Sequence, residues 1–309
     1  MLRWFAIGLV VLSAPAFAQT ATKSRTPDDR PDLQGAWHNL WVAPLERPVA
    51  TMTLVISKAE AEAYASANQA RAGIGLEAPF FGPEARTALI VRGEYRSSLI
   101  IDPPSGRLPY TAEGAKRHAA IAAQPRGTDG PEARVVTERC VGGMGRAPIL
   151  PNAVGNYHEI IQTADTLVMR SDYTAEARLI PLDRRRPAIG LRQGESQGRW
   201  DGDTLVIETV NFRADDTSRT APGALFVITP QTRITERFTR IAQDVLSYTF
   251  MVEDPTIYTQ PWTGESMFGP SPYPIYEFAC HEGNYSMTNI LRGARMIEQR
   301  EAAATTRKR

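Results

Sequence analysis

The run TRITERFTRI (residues 232–241), the three residues AQD (242–244) and the run VLSYTFMVE (245–253) form the stretch on which the fold turns. In the second run Leu246, Tyr248, Phe250 and Val252 share one face, while Ser247 and Thr249 take the other. In the first, Ile234 and Phe238 alternate with polar residues. A period of two is the mark of a half-buried β-strand, and two such runs across a short polar turn make an antiparallel hairpin.

The same rhythm extends outward. Residues 157–163 and 166–170 flank Ala164-Asp165, and 177–182 follow. Gly198-Arg199-Trp200 and 203–212 flank Asp201-Gly202, a dipeptide suited to a tight hairpin turn. Residues 274–280, with Tyr276, Phe278 and Cys280 on one side, read as the last strand. Strands that succeed one another without a helix between them imply antiparallel neighbours. A sheet this apolar on one face must close on itself or be covered. The expected fold is therefore mainly β: an antiparallel meander closing into a calycin-like or lipocalin-like barrel. Two N-terminal helices and one C-terminal helix accompany it. The first spans 57–72, opened by the capping box Ser57-Lys58-Ala59-Glu60 and stopped by Gly73. The second spans 111–123, stopped by Pro125, and the third 287–304, with Gly293 as a flaw inside it.

Residues 1–18 read as an export signal: Arg3, an apolar stretch over 5–12, then Ala16-Phe17-Ala18 as a small-residue cleavage pattern. The apolar stretch is too short to span a bilayer. The expected organisation is signal 1–18, linker 19–30, one β-rich domain over 31–295 and a tail over 296–309. Within the domain, a helical cover spans about 57–125 and the barrel about 135–282. Asp32, Gly35 and Trp37 open it, the Trp ring plugging one end of the barrel. The expected location is the periplasm or the exterior, with no membrane insertion after cleavage.

Thirty-five Lys and Arg stand against 34 Asp and Glu, which gives no electrostatic reason to expect nucleic acid as a partner. Cys140 and Cys280 are the only two cysteines, the number that makes one disulfide in an oxidising compartment. A metal site at Cys280-His281 would need irregular backbone, since neighbours on a strand point to opposite faces. Whether the two thiols pair stays open. With no Gly-rich phosphate loop, paired-His zinc motif, haem attachment sequence or calcium loop, neither a metal nor a cofactor is expected.

The alternation also places charge on the inner wall. Glu236 falls between Ile234 and Phe238, and Arg178 is in step with Ile180 and Leu182. A buried carboxylate must be paired, protonated or set in a polar cavity. A structural Glu–Arg pair and a ligand-facing acid both fit. Glu208, between Val206 and Val210, is a second carboxylate of this kind, although both faces of its strand are largely apolar. His158, in step with Ile160, faces inward as a core residue or a base, and Tyr248 lies on the same wall. The cluster His281-Glu282-Gly283-Asn284-Tyr285 is either a ligand loop at the barrel mouth or a cap leading into the last helix. Trp262, with Tyr258 and Tyr273, sits in a Pro-rich stretch that suits a sugar or flat aromatic ligand, or simply packs. Gly194-Glu195-Ser196-Gln197-Gly198 matches a hydrolase nucleophile pattern, but Arg184-Arg185-Arg186-Pro187 before it and a hairpin after it give the wrong context, so it reads as a polar loop.

Three functions remain. The leading one is a small organic ligand, sugar or aromatic, held in the barrel by Arg178, His158, Tyr248, Trp262, Glu282, Asn284 and Tyr285. The second is a metal-free acid–base enzyme (lyase, isomerase or hydrolase) with Glu236 or Glu208 as base and His281 or Tyr285 as acid. The third is a structural envelope protein with a filled barrel. Oligomeric state is left open.

Taken together, Glu138-Arg139-Cys140, Gly198-Arg199-Trp200-Asp201-Gly202-Asp203-Thr204-Leu205-Val206, Glu236-Arg237-Phe238-Thr239-Arg240, Val252-Glu253-Asp254-Pro255 and the run from Tyr276 to Tyr285 (YEFACHEGNY) resemble a family of secreted, β-rich bacterial proteins. The resemblance covers about 31–295 and implies export and one conserved body. It carries no catalytic residue over. Family members often place a His where this chain has Ala175, so any role of that His is missing here.

Overall fold

The computed structural model describes residues 24–39, 43–51, 53–71, 88–123, 127–134, 138–141, 145–151, 156–173, 177–182, 191–221, 224–276 and 279–307. The export signal at 1–18 lies outside them. The fold is mainly β. In chain order the elements are β1 (Gly35–His38), β2 (Val55–Ile56), α1 (Lys58–Arg71), β3 (Ile90–Val91), β4 (Glu94–Arg96), β5 (Ile100–Asp102) and α2 (Ala112–Ala123). Then come β6 (Tyr157–Gln162), β7 (Thr166–Ser171), β8 (Ala177–Pro181), β9 (Glu195–Asp201), β10 (Thr204–Val210), β11 (Ser218–Ala221) and β12 (Ala224–Val227). The last four are β13 (Arg233–Ala242), β14 (Val245–Glu253), β15 (Trp262–Pro270) and α3 (Tyr285–Arg307).

Nine strands make one nearly closed wall, ordered β8-β7-β6-β1-β15-β14-β13-β10-β9. Followed round from β1, this is the order of the chain itself: β1, β6, β7, β8, β9, β10, β13, β14, β15 and back to β1. The wall is thus an up-and-down meander with two insertions, β2 to α2 after β1 and the β11–β12 hairpin after β10. All eight junctions along the hydrogen-bonded path are antiparallel. Directions alternate around the wall, so an odd number of strands forces one parallel junction. It falls between β8 and β9, which meet at a single parallel bridge, Leu182 to Gly198.

Antiparallel partners share a face, so the register assigns the interior. Phe238 pairs with Tyr248 and Leu205, Leu246 with Phe268, Ile160 with Met169, and Leu167 with Ile180. All are buried in one core cluster. Trp37 lies inside as well, its indole N–H donating to Leu33 O at 2.9 Å and the Arg240 guanidinium stacked 5.4 Å from its ring. Such apolar surface, at about 25 cal/mol per Å² buried, is what drives closure of the wall.

Both N-terminal helices begin as their caps require. Ser57 and Glu60 exchange hydrogen bonds, with Ser57 N–H donating to Glu60 Oε2 at 2.8 Å and Glu60 N–H to Ser57 Oγ at 3.3 Å. Thr111 Oγ1 accepts from Gly114 N–H at 2.9 Å at the start of α2. A Cβ at Gly114 would stand 2.1 Å from Ile257 O, so only glycine lets this helix approach the loop after β14.

Other features depart from expectation. Trp262–Pro270, read as a Pro-rich aromatic loop, is a central strand, its first residues hydrogen-bonded beside β5 and its outward Glu265 paired to Arg92 and Arg96. The expected strand at 274–280 is irregular wherever it is described. The last helix, expected over 287–304, runs over Tyr285–Arg307 and so takes in most of what was expected as a tail. Cys140 and Cys280 form a disulfide with Cα atoms 5.7 Å apart, closing a separation of 140 residues. Under the chain-entropy account, a loop of this length contributes at most about 5 kcal/mol.

Candidate functional site

Every strand of the wall places one polar residue inward at the same level. Ser196 (β9) pairs with Thr209 (β10), and Glu236 (β13) lies two register positions along, opposite Ile207. Tyr248 (β14), two positions from Phe250 opposite Glu236, pairs with Ser266 (β15). Asn39, just past β1, then His158 (β6) paired with Ser171 (β7), and finally Arg178 (β8) complete the circuit. The steps are diagonal in register, which is how a level ring must run when barrel strands tilt. Beneath the ring Phe238, Phe268, Leu205, Met169 and Ile180 fill the interior.

Arg178 organises the ring. Its Nη2 donates to Glu236 Oε2 at 2.5 Å, Ser196 Oγ at 3.2 Å and Thr209 Oγ1 at 3.3 Å. Its Nη1 donates to Glu236 Oε1 at 3.3 Å and Gly145 O at 3.4 Å. Arg178 is 2% and Glu236 0% exposed, so the pair is shut away from water. The Tyr248 hydroxyl donates to Glu236 Oε1 at 2.8 Å and accepts from Ile149 N–H at 2.8 Å. Burial, then the charge of Glu236, pushes the Tyr248 hydroxyl pKa well up, so Tyr248 is a neutral donor.

A buried strap, residues 145–151, crosses the ring from the Arg178 side to the Tyr248 side. It is clamped by a second buried ionic group. Asp216 binds Arg146 at 3.0 Å and Arg219 at 2.6 Å, and Arg219 Nε donates to Ala147 O at 3.1 Å. The disulfide ties Cys140, shortly before the strap, to the turn ahead of α3.

His158 is 1% exposed, its Nε2 3.3 Å from Asn39 Oδ1 and its ring edge-on to Phe268. Burial first, then the positive charges of Arg178 and His38, push its pKa down to about 3. The imidazole is neutral across the physiological range. Two further ring atoms, Asn39 Nδ2 and Ser266 Oγ, are buried without a hydrogen-bond partner among the described residues.

Of the residues singled out in the sequence, Arg178, Glu236, Tyr248 and His158 meet in the ring. The others do not. Glu208 pairs with Thr235 on the outward face and binds Arg233 there in a half-exposed ion pair, because the register with β13 turns Ile207 rather than Glu208 inward. Trp262 is fully buried core, packed edge-on against Phe226 and Phe250. His281 and Glu282 are exposed on the turn before α3, and Tyr285 is exposed at its first position. Asn284 caps that helix, its Oδ1 accepting from Met287 N–H at 3.3 Å and its Nδ2 donating to Glu138 O at 2.8 Å. That is the capping alternative for this cluster. Ala175 and the Arg184–Arg186 triplet lie outside the described residues.

Sequence reasoning missed Ser196, Thr209, Ser171, Ser266 and Asn39. Ser196 was visible as the centre of the Gly194–Gly198 pattern, but it lies on β9 and shares a 2.9 Å hydrogen bond with Thr209, an arrangement unrelated to a nucleophile elbow. Thr209 follows Leu205 and Ile207 at a spacing of two, a signal blurred because Val206 is buried as well. Among the described residues no cluster of His, Cys, Asp and Glu could hold a metal ion, and no helix is long and apolar enough to cross a membrane. Comparison of the chain with protein-family models, curated proteins and solved structures finds no match.

Proposed function

We propose that this is an exported, lipocalin-like member of the secreted family it resembles, which binds a small, uncharged, hydroxylated molecule (a sugar or a phenol) at the polar ring. The observation that carries this reading is the ring itself. A barrel filled only for stability gains nothing from it, since a buried ion pair is often matched or bettered by apolar side chains of equal volume. Nine strands nevertheless each direct a polar group to one level, and two of those groups, Asn39 Nδ2 and Ser266 Oγ, have bonds to give. Arg178 and Glu236 offset each other and His158 is neutral, so the ring favours a neutral ligand over an ion. The acid–base reading is weaker, because Glu208 and His281 lie off the ring and Glu236 is occupied by Arg178 and Tyr248.

Native mass spectrometry of protein purified from a periplasm tests the reading through a retained neutral mass. Calorimetric titration with monosaccharides and simple phenols tests it directly. Ser266→Ala and Asn39→Ala are expected to weaken binding at least tenfold while leaving circular dichroism unchanged. The absence of both a retained mass and binding, or binding that neither substitution touches, would count against it.

A further inference from the structure

We infer that the parallel junction between β8 and β9 is the door through which the ring is reached, and that Arg178 is its latch. This rests on the reading of the ring as a binding site and adds how that site opens.

The nine-strand parity makes one junction unlike the rest, and β8 and β9 carry it. Elsewhere the wall is joined by antiparallel pairs, from the long ladder of Arg233–Ala242 with Val245–Glu253 to the two pairs between β1 and β15. Among the described residues only Leu182 and Gly198 bridge this junction through the backbone. Gly198 matters there, because an added Cβ would stand 2.8 Å from Leu182 Cδ2 and 3.1 Å from Ile180 Cγ2. The strands touch at that end because one of them lacks a side chain. Toward the other end Gln193 Nε2 donates to Ala177 O at 3.4 Å from the partly exposed side. Across the middle the connection is Arg178, which starts on β8 and reaches Ser196 on β9, Thr209 on β10 and Glu236 on β13.

The position of the latch fits an entrance. Ser196 and Thr209 stand directly behind the junction, so moving β8 outward uncovers the ring, and Ile180 and Leu182 move with it. The alternative route, past the strap, would drag Ile149 and Leu150 out of the core and also break the buried clamp of Arg146 and Arg219 on Asp216. A hydroxylated ligand that takes the bonds of Ser196 and Thr209 replaces what the latch gave up. Its binding then shifts the population toward the open form.

Hydrogen–deuterium exchange on the full chain without ligand tests the latch separately from binding. In Arg178→Met, exchange in peptides covering β8 and β9 is expected to rise at least tenfold more than in peptides covering β13–β14 and β6, which report the loss of global stability. Glu236→Gln, which leaves the bonds of Arg178 to Ser196 and Thr209 in place, should raise exchange at the junction less than threefold beyond those same reference peptides. If Arg178→Met fails to fold, Ser196→Ala, which removes the β9 end of the latch, is expected to show the same local pattern. Faster exchange spread evenly over all strands, or no change at β8 and β9, would overturn the latch. An open junction with no binding of monosaccharides or phenols would leave the latch standing and remove the ligand reading.

Discussion

Replacing His158 by Gln should flatten the acid side of the protein's stability curve. The imidazole sits 1% exposed between Asn39 and Phe268, with a pKa pushed down to about 3 in the folded state against 6.5 for an unperturbed histidine. The unfolded chain therefore takes up a proton below pH 6.5 that the native protein refuses. Because the folded pKa of a base is depressed, the stability contributed by neutral His158 is fully present above about pH 6.5 and is lost as pH falls toward 3. Each pH unit in that window is worth about 1.4 kcal/mol for one proton. Between pH 6.5 and 4.5 the loss is about 2–3 kcal/mol, and over the whole window roughly 5 kcal/mol. Gln retains an amide donor for Asn39 but does not titrate. Urea unfolding followed by tryptophan fluorescence at pH 7, 6, 5 and 4.5 gives the stability of each protein. Carboxylates common to both proteins cancel in the difference, so the wild-type advantage should shrink by about 2–3 kcal/mol across that range. A difference constant to within about 0.5 kcal/mol would show that His158 is reached by water or protonated in place, and would refute its burial in a neutral state.

Two further perturbations probe the wall. Arg178→Met and Glu236→Gln each leave one member of a buried pair uncompensated and should cost about 3–5 kcal/mol, while the double variant costs clearly less than the sum; urea midpoints measure this, and additive losses would mean the two groups are not coupled. Glu208→Gln, on the outer face, should change stability by less than about 0.5 kcal/mol, and a loss above about 2 kcal/mol by the same assay would place that carboxylate inside.

What could be read without coordinates was whatever local chemistry dictates. The capping box at Ser57, the helix start at Thr111 and the turns at Gly202 and Gln243 depend on residues a few positions apart, and the elements formed where these signals stand. Alternation sufficed to turn Glu236, Arg178, Tyr248 and His158 inward, since a strand with one wet face must keep period two. That signal fails where both faces are covered. β15 is buried on both sides, with Glu265 held by Arg92 and Arg96 on the outside, so its WTGESMFGP has no pattern to read. β10 is also apolar on both faces, and only its register with β13 decides that Ile207 points in and Glu208 out.

The sequence by itself determined the strands from β6 to β10 and the pair β13 and β14, their antiparallel succession and the inward side of the four charged or titratable residues, because each is settled by neighbours along the chain. Tertiary structure alone decided that these residues stand at one level, that Asn39, Ser171, Ser196, Thr209 and Ser266 complete their ring, and that Arg178 spans the parallel junction. Those facts depend on strand register and on the number of strands that close the wall. Both are properties of the whole sheet, which no window of sequence contains.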